Sequence, residues 1–246
     1  MKRLAVFFPG IGYTVDKPLM HYSRRLAAKH GFEICLLPYS GFPKKVKGDK
    51  DKMQESYKIA LKQAKEMLSD IDFEDFDDIL FVGKSIGTIV AAKIASQSAV
   101  REHIRFIFYT PLEETFSFPV QDAIVFTGSA DPWVGEGRIT ALCRESGLPC
   151  SVIPNANHSL ETADPTQDIL TLQRIMSETE LYMAKYAAAK ISGAICRITG
   201  NYSCKSSLDK TRPTKENLLI LFCRCCIIYQ RSISPVFSPF TQYALF

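Results

Sequence analysis

Three side chains in this sequence have the types and order needed to move a proton and form a covalent bond: Ser85, Asp131 and His158. Ser85 stands in Gly83-Lys84-Ser85-Ile86-Gly87, between the apolar run Ile79-Leu80-Phe81-Val82 and the helix-like Ile89-Val90-Ala91-Ala92. A strand that turns tightly into a helix puts the central residue on a sharp corner with its hydroxyl above the sheet, and the flanking glycines let the two elements pass closely. A hydroxyl presented in that way becomes a nucleophile once a neighbouring base takes its proton. The same residues could also close a phosphate-binding loop of the form Gly-x-x-x-x-Gly-Lys-Ser. The first glycine of that loop would fall on Asp78, so the spacing excludes it.

A base and an acid follow the serine. The run Ala123 to Thr127 leads into Gly128-Ser129-Ala130-Asp131-Pro132-Trp133-Val134, and Ser151 to Ile153 leads into Pro154-Asn155-Ala156-Asn157-His158-Ser159. From the residues alone Asp131-Pro132 is also a turn initiator, and Asp122 or Glu136 could supply the acid instead. With these three motifs in this order, residues 1 to about 185 resemble a small α/β-hydrolase without a cap domain. The resemblance implies Ser85 as nucleophile, His158 as general base and Asp131 as the residue that orients the imidazole. It also matches Pro9-Gly10-Ile11-Gly12 to the oxyanion loop, with the backbone N–H groups of Ile11 and Ile86 as oxyanion donors. Trp133, the single tryptophan, is a packing residue or a pocket wall. Lys84, beside the serine, leaves the substrate preference open. His21, His30 and His103 read as structural or solvated. No spacing suggests a metal site, Cys223, Cys225 and Cys226 lack partners at ligand spacing, and no cofactor is implied.

The elements that must position these residues alternate between short apolar runs and helical stretches. Strands are expected over Leu4 to Phe8, Glu33 to Pro38, Ile79 to Val82, Phe106 to Tyr109, Ala123 to Thr127 and Ser151 to Ile153. A helix from about Lys17 to Lys29 ends at His30-Gly31, and Met53, Tyr57, Ala60, Leu61, Ala64, Met67 and Leu68 mark a second helical face. A third pattern, through Ile169, Leu172, Ile175, Met176 and Met183, closes the domain near Tyr186. The expected fold class is therefore α/β, a mostly parallel sheet of about six strands flanked by helices. The segment from Thr110 to Asp122 is too short for a cap domain, so the site should be open. The lysine-rich stretch Lys44 to Lys52 has no interleaved aromatic residues and reads as a solvated loop rather than a nucleic-acid contact.

Composition separates the two ends of the chain. Of 246 residues, 46% are hydrophobic, enough for a full core. The formal charge is +4, yet residues 186 to 246 carry eight Lys or Arg against two Asp or Glu, so the basicity belongs to the tail. Met1-Lys2-Arg3 and the apolar residues after it imitate a signal peptide, but Pro9-Gly10 cuts the run short and a buried first strand is the better reading. Eight scattered cysteines without a regular framework suggest a reducing, cytoplasmic setting. The organisation expected is a domain over 1–186, a polar and basic linker over 187–216 and an apolar, basic, helical tail over 217–246. In that tail Leu218 to Tyr229 is too short to span a bilayer, and with its flanking Lys and Arg it has the elements of an interfacial anchor. Tyr229-Gln230-Arg231-Ser232-Ile233-Ser234-Pro235 and Gln242-Tyr243-Ala244-Leu245 resemble parts of the membrane protein insertion efficiency factor family, without the stretch that should lie between them. The apolar run and the positive charge of the tail suggest an anionic membrane surface as a partner. The expected function is a serine hydrolase acting on a small-molecule carboxylic ester, thioester or related acyl substrate. The alternative is a membrane-biogenesis helper whose hydrolase domain is a scaffold.

Overall fold

The computed structural model describes the backbone of residues 1–198 and the side chains of residues 1–184. Six parallel strands, β1 (Arg3–Phe8), β2 (Glu33–Leu36), β3 (Asp78–Lys84), β4 (Ile104–Tyr109), β5 (Ala123–Gly128) and β6 (Cys150–Ile153), form one sheet in the order β2-β1-β3-β4-β5-β6. The helices are α1 (Pro18–Lys29), α2 (Lys50–Met67), α3 (Ile86–Ser96), α4 (Arg138–Glu145) and α5 (Pro165–Ile198). The fold is that of an α/β-hydrolase.

Both faces of the sheet are covered, which is why the central strands read as continuous apolar runs rather than alternating ones. Val6, Phe8, Ile79, Phe81, Phe106 and Phe108 pack toward Ala60 and Ala64 of α2, Val90 and Ala91 of α3 and Ile139 and Cys143 of α4. Ala5, Phe7, Leu80, Val82, Ile107 and Tyr109 face Leu19 and Met20 of α1 and Ile175 and Met183 of α5. Helix α3 is enclosed along nearly its whole length, from Ile86 to Ala95.

Local signals account for the helix ends. Pro18 opens α1 and Gly31, at φ 76°, follows its close at His30. The Asp49 carboxylate accepts from the N–H of Lys52 at 3.1 Å and caps α2. The lysine-rich stretch therefore divides, its first part a loop anchored by buried Val46 and its last part the start of α2. Met67 points outward from the expected face of α2, as Ile169 does from α5, whose buried side is Thr171, Ile175, Thr179, Tyr182 and Met183. Helix α4 has no counterpart in the sequence reading, because Ile139 and Cys143 are its only buried residues and two positions make no visible period.

At the N-terminal end of the sheet the fully buried Asp78 accepts hydrogen bonds from Arg3 and Arg105. These arginines also donate to the carbonyls of Met183 and Tyr182 in α5. The backbone of α5 runs past Tyr186 to Ile198. The remaining linker and the tail segment 217–246, with its proposed helix from Leu218 to Tyr229, lie outside the described residues. Among the described residues no helix is long and apolar enough to cross a membrane.

Candidate active site

β1 and β3 run side by side although α1 and β2 leave in one direction and β4 lies in the other, so the chain reverses its winding between them. In sheets of this kind the crevice beyond the carboxyl ends of the strands at such a point receives the ligand. Register brings the loops together there. Phe8 pairs with Gly83 and Lys84 with Tyr109, so the ends of β1, β3 and β4 lie level.

Ser85 occupies the corner between β3 and α3 with φ 54° and ψ −125°. A non-glycine residue reaches this region at a cost of roughly 1–3 kcal/mol, which the surroundings must impose. They do so through Ser85 N–H, which donates to Tyr109 O at 3.1 Å, and through Gly87, where a Cβ would overlap the carbonyl of Phe8. Helix α3 can start directly above β1 only because that Cβ is missing.

Asp131 and His158 arrive from β5 and β6. The imidazole Nδ1 is 2.7 Å from Asp131 Oδ2, and Nε2 is 2.7 Å from Ser85 Oγ. An ionised carboxylate only accepts, so Nδ1 carries the proton and donates to Asp131, which leaves Nε2 to accept from the serine hydroxyl. The second carboxylate oxygen of Asp131 accepts the N–H of Trp133 at 2.9 Å, fixing the carboxylate plane. Burial lowers the proton affinity of His158 below the usual imidazole value and is the largest influence on it. The hydrogen bond that His158 donates to Asp131 opposes that effect, and the charges of Lys84 and Lys47 add to it. The alternative acids are elsewhere. Asp122 accepts from Tyr182 OH at 2.8 Å on the α5 side, and Glu136 is exposed beyond the Asp131 turn. His30 pairs with Glu180, His21 contacts Arg24 and His103 is exposed in a short turn before β4.

Two supporting residues, Thr110 and Gly128, escape a reading of the sequence. Thr110, fully buried and at φ 40°, donates its hydroxyl to His158 O at 3.0 Å. At Gly128 a Cβ would overlap the carbonyl of Ala156, so this glycine lets the acid and histidine loops cross. Lys84, expected as a charge beside the serine, is enclosed within the fold at 1% exposure. Of the expected oxyanion donors, the Ile86 N–H lies in the first turn of α3, where no carbonyl within the helix reaches it. Ile11 sits in the turn that Gly10 N–H closes on Tyr13 O at 3.1 Å. The Ile11 and Ile86 side chains pack in one apolar cluster with Leu112, Met53 and Trp133.

That cluster forms one end of an open cleft of about 600 Å³, lined by Val46, Met53, Leu112, Phe116 and Trp133 among others. The Trp133 ring, part of the cleft wall, lies 5.4 Å from the His158 ring between centroids. A second hollow of about 450 Å³ shares Lys50, Met53, Glu114 and Ser117 with it and continues to Tyr57, Ile89 and Phe118. The segment between β4 and β5 contains only the 3-10 turn Glu113–Ser117, so no inserted domain covers the cleft from there. Among the described residues no His, Cys, Asp and Glu cluster is arranged to hold a metal ion.

No protein-family description and no curated protein matches the sequence. Solved structures match the fold. Est1E from Butyrivibrio proteoclasticus, in a structure with ferulic acid bound, is 13% identical with a TM-score of 0.56, over 76% of this chain and 90% of its own. The esterase Pf2001 from Pyrococcus furiosus is 14% identical with a TM-score of 0.51, over 75% of this chain and 83% of its own. An α/β serine hydrolase homologue from Coxiella burnetii is 16% identical with a TM-score of 0.50, over 72% of this chain and 84% of its own.

Proposed function

We propose that this chain is a serine hydrolase that cleaves small carboxylic esters, thioesters or related acyl compounds. The observation that carries the reading is the relay from Asp131 Oδ2 through His158 to Ser85 Oγ, with 2.7 Å at each step, on a strained corner beside an open cleft. In this mechanism His158 Nε2 takes the Ser85 proton as Oγ attacks the acyl carbon, and Asp131 stabilises the imidazolium. The tetrahedral oxyanion would be bound by the N–H groups of Ile11 and Ile86, each such donor typically contributing about 3 kcal/mol. His158 then returns the proton to the leaving group. Water, activated by the same imidazole, releases the acyl group from Ser85. The Pyrococcus furiosus esterase and the Coxiella burnetii serine hydrolase homologue among the fold neighbours support this reaction class by analogy.

The test is chemical labelling. A fluorophosphonate should modify the wild-type protein at Ser85, and Ser85→Ala should abolish both labelling and hydrolysis of nitrophenyl acetate. Equal labelling of the Ser85→Ala protein would refute the reading. We also propose, from the scattered cysteines, that the enzyme works in the cytoplasm and, from the apolar run and flanking basic residues of the tail, that residues 187–246 touch the inner face of an anionic membrane.

A further inference from the structure

Lys84 closes β3, and strand alternation directs its side chain to the same face as Val82 and Leu80, toward α1 and α5. Its ammonium lies 5.0 Å from the centroid of the Tyr13 ring. Among the described residues no carboxylate stands within ion-pair distance of it. The loop after β1 lies across its stem, for a Cβ on Gly10 would come 3.6 Å from Lys84 Cγ and 3.2 Å from Lys84 O. Tyr13 in turn closes that loop, accepting from Gly10 N–H through its carbonyl and from Leu19 N–H through its hydroxyl at 3.2 Å. A buried ammonium with no paired carboxylate is costly, and the face of an aromatic ring offsets part of that cost only while the amine is charged.

We propose that Lys84 is a positioning residue for the acyl-transfer step: in its charged form it grips the Tyr13 ring and holds the loop from Pro9 to Tyr13, with the Ile11 N–H, against the Ser85 corner. The inference rests on Ser85 acting as the nucleophile. Its consequence is a dependence on pH. The groups facing Lys84 are Tyr13 from the loop after β1, Asp131 after β5, Glu161 after β6, and Tyr109 and His158 beside it. Burial lowers its pKa to about 7 against the smaller upward pull of Asp131 and Glu161. Tyr13 is pushed upward by its own burial and stays neutral throughout. As pH rises through about 7 the amine loses its charge and releases the ring. His158 must be neutral to act as a base, so the rate rises on the acid side with His158 and falls on the alkaline side with Lys84.

The experiment measures kcat and KM for nitrophenyl acetate from about pH 5 to 9 in the full-length wild type, Lys84→Met, Lys84→Arg and Tyr13→Leu. In the wild type kcat should decline above neutrality to the level of Lys84→Met. Lys84→Met should show no alkaline decline, with kcat at neutral pH lowered about tenfold and KM changed less than about twofold. The permanently charged Lys84→Arg should keep the higher rate on the alkaline side. Tyr13→Leu should lose the decline as Lys84→Met does. A wild-type profile flat through the alkaline range, or a Lys84→Met protein with the wild-type rate and profile, overturns the proposal. If circular dichroism shows that Lys84→Met does not fold, the wild-type and Tyr13→Leu profiles decide. Failure of the nucleophile reading is separate, because the wild type would then take no fluorophosphonate at any pH.

Discussion

The hydroxyl of Thr110 donates to the backbone carbonyl of His158 across 3.0 Å, tying the end of β4 to the loop that carries the imidazole. The same loop carries the Nε2 that lies 2.7 Å from Ser85 Oγ, so a shift of the loop alters that hydrogen bond. Thr110→Val keeps the shape and removes the donor, which costs about 1–3 kcal/mol when a buried acceptor is left unpaired. We expect kcat to fall roughly five- to thirtyfold with little change in KM, because the loss falls on alignment rather than binding. Thr110→Ser should recover most of it. Steady-state kinetics of the two variants test the assignment.

In the proposed mechanism His158 gives the pH dependence its acid side. Burial lowers its proton affinity in the fold, so the rising limb of kcat/KM should have its midpoint below the ordinary imidazole value of 6.5. The same sign applies to stability. Between the folded value and 6.5 the unfolded chain binds more protons, so acidification through that window favours unfolding. Asp131→Asn removes the interactions that hold the imidazole value up and favours the wrong tautomer. The limb should move to lower pH, and kcat should fall by on the order of 10³–10⁴. A pH–rate series on both proteins measures this.

Gly87 is required by contact rather than by conformation. A Cβ there overlaps the carbonyl oxygen of Phe8 and comes within 2.6 Å of that of Pro9, both backbone atoms that cannot swing aside. Gly87→Ala must therefore push α3 off β1 and open the Ser85 corner. We expect loss of fluorophosphonate labelling and a thermal midpoint lowered by at least several degrees, as overpacking of about 1–3 kcal/mol produces in a small domain.

Asp78 is the charge that Arg3 and Arg105 share, with its carboxylate completely buried and bridged to both. Removing one partner from a buried ion cluster costs about 3–5 kcal/mol. Asp78→Asn should lower the urea midpoint accordingly. Ser85 lies at the other end of β3, so folded Asp78→Asn protein should retain its reactivity toward fluorophosphonate.

For the tail, we expect full-length protein to float with anionic vesicles at low salt and to be released as salt rises. Each Lys or Arg near the surface contributes about 1 kcal/mol to such binding. A chain ending at Ile198, which keeps every strand and helix among the described residues, should stay with the soluble fraction and remain active. Equal behaviour of the two proteins in flotation would remove the membrane proposal.

The sequence by itself determined the local parts of this protein. The central strands were visible because a sheet covered on both faces demands a continuous apolar run, and Gly83 to Gly87 announced the corner because only small residues let a strand turn so sharply into a helix. What the tertiary structure decided was where separate segments meet. Strand order and register are set by pairings between distant residues, and that Asp131 rather than Asp122 or Glu136 meets His158 follows from where the loops after β5 and β6 run. Thr110 and Gly128 carry no signature of their own, since each acts on a loop far along the chain. Lys84 shows the limit most clearly. In the sequence Lys84 is only a charge beside the serine, yet the pleat of β3 directs it beneath the loop after β1, and that burial is a property of the packed sheet rather than of any local pattern.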